Sequence, residues 1–261
     1  MAAINSFRVD QLEVRVFSSQ AQLAEAAAAM AAQVLGESLA SRSSAAAILA
    51  SANSQIAFVQ ALVARKDIPW SRVTLFHMDE YLGISDQHPA SFRRFMRERV
   101  EARLAPAHFH YLAGDADQPL DECDRYARLL AAQPIDLCCL GIGENGHIAF
   151  NDPPVANFAD PRPVKLVKLD EACRQQQVGE GHYAALSEVP QYAFTLTIPT
   201  LCSARRMICI VPERRKARAV RDALCGPIHP ACPASILRRQ PHCVLMLDAE
   251  SAAELPEMVA R

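Results

Sequence analysis

Apolar residues in this chain fall in short runs separated by longer amphipathic stretches, and the two lengths predict strands alternating with helices. Leu12 to Phe17 alternates around Glu13 and Arg15 and predicts a first strand. Ser18 or Ser19 can cap the helix that follows, which is rich in strong helix formers to about Leu39. The unbroken apolar run Ala45 to Ala50 predicts a second strand. A short polar loop follows, then a helix from about Gln55 to Ala64, then a third strand from Val73 to Phe76. Helices are expected over 90–103 and 119–132, before a strand over 135–140. Further strands are expected at 164–168, 192–197, 206–211 and 243–247, with a helix at 214–225. Strands separated by helix-length segments imply βαβ units with right-handed crossovers. The expected fold is α/β: a Rossmann-like open sheet, mainly parallel, with helices on both faces. No composition break divides residues 1–261, so one domain is expected.

Chemistry collects at two strand ends. The run Ile135 to Leu140 leads directly into GIGENGHIAFNDPP, residues 141–154, where Gly141, Gly143 and Gly146 permit sharp bends and close approach to a bound group. That turn carries His147, a residue suited to proton transfer near neutral pH, and Asp152 five positions later. The run Val73 to Phe76 is likewise followed by Asp79 and Glu80. An ordinary turn histidine and two solvated or turn-capping acids would account for each segment alone. Both segments, however, follow strands of buried type, whose carboxyl ends converge on one crevice in an open α/β sheet.

MDEY at 78–81 with HPAS at 88–91, followed by GIGENGHIAFNDP, resembles the glucosamine-6-phosphate deaminase (isomerase) family, relatives of the 6-phosphogluconolactonases. VPQYAFTLTIPTL at 189–201, ERRKARAV at 213–220 and PASILRRQP at 233–241 extend the resemblance toward the last strand. The resemblance implies a proton-moving carboxylate at Asp79 and a ring-opening histidine at His147, supported by Asn145 and Asp152. It also implies substrate contacts from Ser51, Ala52, Asn53, Ser54, Glu80, Gly146 and Lys216. The substrate would be a small-molecule sugar phosphate, and the chemistry calls for no cofactor or metal.

Three departures from the family pattern stand out. Asn145 occupies a position where Asp is common, and an amide can hold the imidazole without offering it a charge. Asp152 stands where Glu is usual, one methylene shorter. LASANSQIAF replaces the Gly-Gly-Thr loop that wraps the phosphate and contains no glycine. A positive φ would strain Ala52 and, less, Asn53, so another loop path is expected. The family's second phosphate-binding cation falls at Gly179 and Glu180, with Arg174 nearby. Val155 and Ala156 stand where some relatives place the serines of an allosteric site. Two alternatives remain: a lactone hydrolase, which Tyr81 and Phe150 count against, and a sugar-binding protein without turnover.

Composition narrows the classes further. The formal net charge is −2, which gives no electrostatic case for nucleic acid. The arginines at 93, 94, 97 and 99 and the cluster 214–218 have the spacing of solvated helix faces. Nine cysteines, an odd number, include Cys138, Cys139, Cys209 and Cys243 inside apolar strands, which favours a reducing cytoplasm. The charged N-terminal stretch lacks a secretory signal's apolar segment, and the Ala-rich stretch at 21–35 is too short and interrupted to cross a membrane. Self-association would be ordinary for this fold.

Overall fold

Eight strands form one sheet and three form another, and the split between them decides where the site lies. The computed structural model describes residues 3–106 and 108–256. Along them run β1 (Asn5–Val9), β2 (Leu12–Phe17), α1 (Gln20–Ser41), β3 (Ala45–Leu49), α2 (Ile56–Val63), β4 (Val73–His77), β5 (Asp79–Tyr81) and α3 (Phe92–Arg99). There follow β6 (His108–His110), α4 (Pro119–Ala131), β7 (Leu137–Leu140), β8 (Val164–Lys168) and α5 (Glu171–Gly179). The series ends with β9 (Tyr192–Leu196), α6 (Ile198–Cys202), β10 (Arg206–Val211), α7 (Ala217–Cys225) and β11 (Cys243–Asp248).

The large sheet has the order β1-β2-β11-β10-β7-β3-β4-β6, parallel throughout except for the β1–β2 hairpin. Its central strands are buried on both faces, and their period-2 alternation deals side chains to two cores. Ala46, Ile48, Cys138, Leu140, Cys209 and Leu245 face one core, whereas Ala47, Leu49, Leu137, Cys139, Ile208 and Met246 face the other. The second core is closed by α1 and α2, and the first by α4, α7 and part of the small sheet. Ser19, in extended backbone, accepts the amide of Gln22 and starts α1. Leu23 and Leu35 on its inner face are almost fully buried. Each such leucine contributes about 1.5–3 kcal/mol by leaving water.

The parallel sheet, the helices on both faces and the main strands agree with the sequence pattern. Several features differ, among them an unexpected short edge strand, β6, which pairs with β4. The chain begins with a hairpin whose first strand, NSFRV, alternates between exposed and half-buried positions and carries too little apolar character to stand out. Residues 164–168 and 192–196 do not join the parallel sheet. They pair antiparallel with each other and with β5, in the order β5-β9-β8. The burial of β8 is mixed, as expected for an antiparallel strand with one wetter face. A single residue, Met78, separates β4 from β5, so the chain leaves one sheet and enters the other at the carboxyl ends of the parallel strands.

β3 and β7 are adjacent at the centre. From β3 the chain proceeds to β4 on one side, whereas β7 leads eventually to β10 on the other. Loops that depart in opposite directions leave a crevice between them, the place where open α/β sheets bind ligands.

Candidate functional site

A cleft lies at this divergence. The loop after β3 supplies Ser51, Ala52, Ser54 and Gln55, and β5 supplies Asp79. The loop after β7 supplies Gly143 and His147, the turn before α7 supplies Lys216, and the segment from α5 onward supplies Gln176, Gln177, Glu180 and His182. Phe92 and Phe150, stacked with ring centroids 5.6 Å apart, form an apolar wall.

Asp79 is buried, and its Oδ1 has no hydrogen-bond partner among the described residues. Burial first, and then the neighbouring Glu80 charge, push its carboxyl well above the usual range. Such a group can hold a proton at neutral pH and pass it on. Glu80 turns away from the cleft. One oxygen accepts the amides of Tyr81 (3.0 Å) and Phe92 (3.1 Å), the other the Ser91 hydroxyl (2.8 Å) and the Arg93 amide (2.7 Å). Three of those donors belong to the start of α3, so Glu80 caps a helix and does not line the substrate cleft.

His147 is held on three sides. Its Nδ1 lies 2.8 Å from Asn145 Oδ1 and 3.0 Å from Asp152 Oδ1. The Asn145 amide is oriented by its own contacts: Nδ2 donates to Asp152 Oδ1 at 3.1 Å, and Oδ1 accepts the His147 amide at 3.1 Å. Both neighbours of Nδ1 are therefore acceptors, which places the ring proton on Nδ1 and leaves the Nε2 lone pair as the open base. The third side is Gly143, where any β-carbon would overlap the imidazole ring. Asp152 is fully buried, and its other oxygen accepts the Asp170 amide at 3.0 Å. Burial opposes its charge, but the bonds and charge of His147 and the amides of Asp170 and Asn145 outweigh that and hold its pKa below the usual value. Asn145 and Asp152 stand behind the imidazole and do not line the cleft. Gly146 is also outside it; at φ 84 it makes the tight turn and packs on Cys232.

The loop after β3 takes its own path. Ala52 is extended, at φ −159, and no residue of 50–55 has a positive φ, so the missing glycines impose no strain. The Ser51 hydroxyl and Gln55 Oε1 are buried in this cleft wall without partners among the described residues. Asn53 points elsewhere, donating to the Glu180 backbone carbonyl at 3.0 Å and tying the loop to the segment after α5. Lys216 is buried, and removal from water pulls its ammonium pKa down against the pull of Glu180. Arg174 donates to the carbonyls of Leu186 and Val189 and takes no part in the cleft.

Sequence reasoning did not single out Gln176, Gln177 or His182, which lie in stretches without a motif, and it read Gln55 only as the start of a helix. The one available signal for the α5 wall was Asp170, which caps α5 through the Glu171 amide and follows a strand. Among the described residues, His147, Asp152 and Cys173 bring a ring nitrogen, a carboxylate oxygen and a thiol within 4.8 Å of one another. Burial and Asp152 push the Cys173 thiol well up, so it favours S–H, a poor state for metal ligation.

Residues 18–246 match the family described as glucosamine-6-phosphate isomerases/6-phosphogluconolactonase. A glucosamine-6-phosphate deaminase of Exiguobacterium sibiricum is 36% identical over 198 residues, 76% of this chain and 77% of that protein. One from Bacillus thuringiensis is 33% identical over 202 residues, 77% of this chain and 75% of its own. Among solved structures, a monomeric glucosamine-6-phosphate deaminase is 28% identical, with a TM-score of 0.84 over 92% of this chain and 98% of that one. A 6-phosphogluconolactonase of Shewanella baltica, 20% identical with a TM-score of 0.74 over 90% and 97%, shares the fold.

Proposed function

This chain belongs to the family of glucosamine-6-phosphate isomerases and 6-phosphogluconolactonases, and on that premise we propose that it is an amino-sugar-phosphate deaminase acting on glucosamine 6-phosphate or a close relative. The reaction converts the amino sugar and water to a ketose phosphate and ammonia. The observation that carries this reading is the pairing, across one cleft, of a buried carboxyl with a free oxygen and an imidazole with a fixed tautomer.

His147 Nε2 takes the anomeric hydroxyl proton and returns it to the ring oxygen, opening the sugar. Its Nδ1–H, facing Asp152, keeps the transient imidazolium stable. Asp79 then removes the C2 proton and delivers it to C1, while the amine gives up a proton and O1 gains one, leaving a C2 imine that water hydrolyses with loss of ammonia. A carboxyl whose pKa is raised well above the usual range by burial and by Glu80 suits a group that must both accept and give this proton. Phe92 and Phe150 exclude water from one wall. Lys216, together with Ser51 and Ser54, would anchor the phosphate end. The chemistry proceeds on the chain's own acids and bases.

The test is ammonia release from glucosamine 6-phosphate, with glucosamine beside it and Asp79→Asn as control. Release that the variant lacks supports the reading. No release from either sugar, with the sugar still bound, would instead make this a binding protein. None of the described helices is long and apolar enough to cross a membrane. All nine cysteines are free, and six are buried. We place the protein in the cytoplasm on that chemistry.

A further inference from the structure

The anchor end of the cleft carries an unexpected charge pattern. Lys216 is the one lysine or arginine among the described residues lining it, and it shares that lining with two acids, Asp79 and Glu180, of which Glu180 acts on its charge. Glu180 is built in. Its side chain is 3% exposed, and Oε1 accepts Gln176 Nε2 at 2.7 Å from α5 and Arg215 at 2.9 Å from the turn before α7. His182 Nε2 lies 3.4 Å from Oε2, an electrostatic contact without hydrogen-bond alignment. Asn53, from the loop after β3, grips the Glu180 backbone carbonyl at 3.0 Å. Arg215 does not add a free cation, because it also contacts Glu144 at 3.4 Å and Glu213 at 2.6 Å.

We infer that Glu180 is a specificity-determining residue that matches the anchor end of this cleft to a terminal group carrying at most one negative charge. The inference rests on the deaminase reading only for the identity of the sugar. A doubly charged phosphate beside Lys216 would meet a fixed carboxylate within the same buried wall, and like charges brought together out of water repel strongly. A singly charged group meets weaker repulsion from Glu180 while keeping the attraction of Lys216, and finds donors in Gln176, Ser51 and Ser54. Burial opposes the Glu180 charge, but His182, Arg215, Gln176 and Lys216 hold its carboxyl down to about 2, so it stays ionised across the working range. Glu180 therefore acts as a constant charge, and a proton retained on the ligand's phosphate is the term that varies.

Methyl phosphate and methyl sulfate are close in shape and, at pH 8, differ by one charge. Their binding to the intact protein, measured by calorimetry at that pH, compares the two charges at one site under one set of conditions. The parent protein is expected to bind methyl sulfate at least as tightly as methyl phosphate. Glu180→Gln, nearly isosteric, is expected to shift the ratio toward methyl phosphate by about tenfold or more. A parent that prefers methyl phosphate by about tenfold overturns the inference even if the variant does not fold, and so does an unchanged ratio in a folded variant. Absence of binding by both probes to both proteins overturns it too, since the cleft would then hold no anion. Ammonia release is read separately. Release with an unchanged ratio retains the deaminase and removes the role of Glu180, whereas a switched ratio without ammonia does the reverse.

Discussion

Asp79 and Asp152 are both buried aspartates, 6% and 0% exposed, yet their surroundings drive them in opposite directions. On the β5 wall, Asp79 Oδ1 has no partner among the described residues and Glu80 stands beside it, so burial prevails and its pKa is pushed up. Behind His147, Asp152 receives an imidazole N–H and two amide donors, and the charge prevails. Burial alone therefore does not set protonation; the number and sign of the neighbours do. One carboxyl is left able to trade a proton, and the other is committed to stabilising one.

Removing the first carboxyl should have the largest effect. Asp79→Asn should lower turnover by about 10²–10⁴-fold, the usual worth of a positioned acid–base group, with the sugar still bound. Its effect on stability should have the opposite sign. A carboxyl with a raised folded pKa costs stability as pH rises past its unfolded value, because the native state binds more protons there. The variant's melting temperature should thus exceed the parent's by a margin that grows from pH 5 to pH 8. A margin that stays constant over that range would mean that Asp79 is a charged, satisfied residue like Asp152.

Asp152→Asn probes the other side. It should cost about 1–3 kcal/mol at neutral pH, as one buried partner is lost to several donors. A folded pKa below the unfolded one gives stability that is present above the unfolded value and lost as pH falls through the folded value. The difference in melting temperature between variant and parent should therefore narrow on acidification, and a constant difference would break the comparison. Lys216→Ala, remote from the proton transfers, should raise KM by about tenfold or more with little change in kcat. An unchanged KM would remove Lys216 from the anchor. Glu80→Gln should be mildest for chemistry, costing about 1 kcal/mol through the weakened start of α3. A thermal melt and a kcat within a few-fold of the parent would agree with a cap one residue away from the acid.

Much of this arrangement was legible in the sequence because it depends on local rules. Apolar runs of strand length, Gly143 and Gly146 around His147, and Asp79 beyond a buried strand all follow from chain-neighbour chemistry. What escaped depends on distant pairing. Residues 164–168 and 192–196 look like any other strands, and only their pairing with β5 places them in a second sheet. Glu80 looks like a site acid beside Asp79, because the helix it caps begins twelve residues later in the chain. Glu180 lies in a stretch without periodicity, and its burial arises from Gln176, Arg215 and the fold around them. The absence of glycine after β3 suggested strain that the extended Ala52 avoids.

Thr195 has a further consequence. It sits opposite Asp79 in the β5–β9 register, and its hydroxyl oxygen accepts the amide of Phe150, three residues beyond His147. Asn151 adds a bond from its side chain to the neighbouring Leu196 carbonyl at 2.8 Å. Although Asp79 and His147 come from separate stretches of chain, both are gauged from the same two residues of β9. In a machinist's terms they share a datum: displacement of that reference carries both groups together, so error in their spacing need not accumulate along the intervening chain. Loops elsewhere around the cleft can lengthen or vary in composition without detuning the pair, provided that one short strand keeps its register.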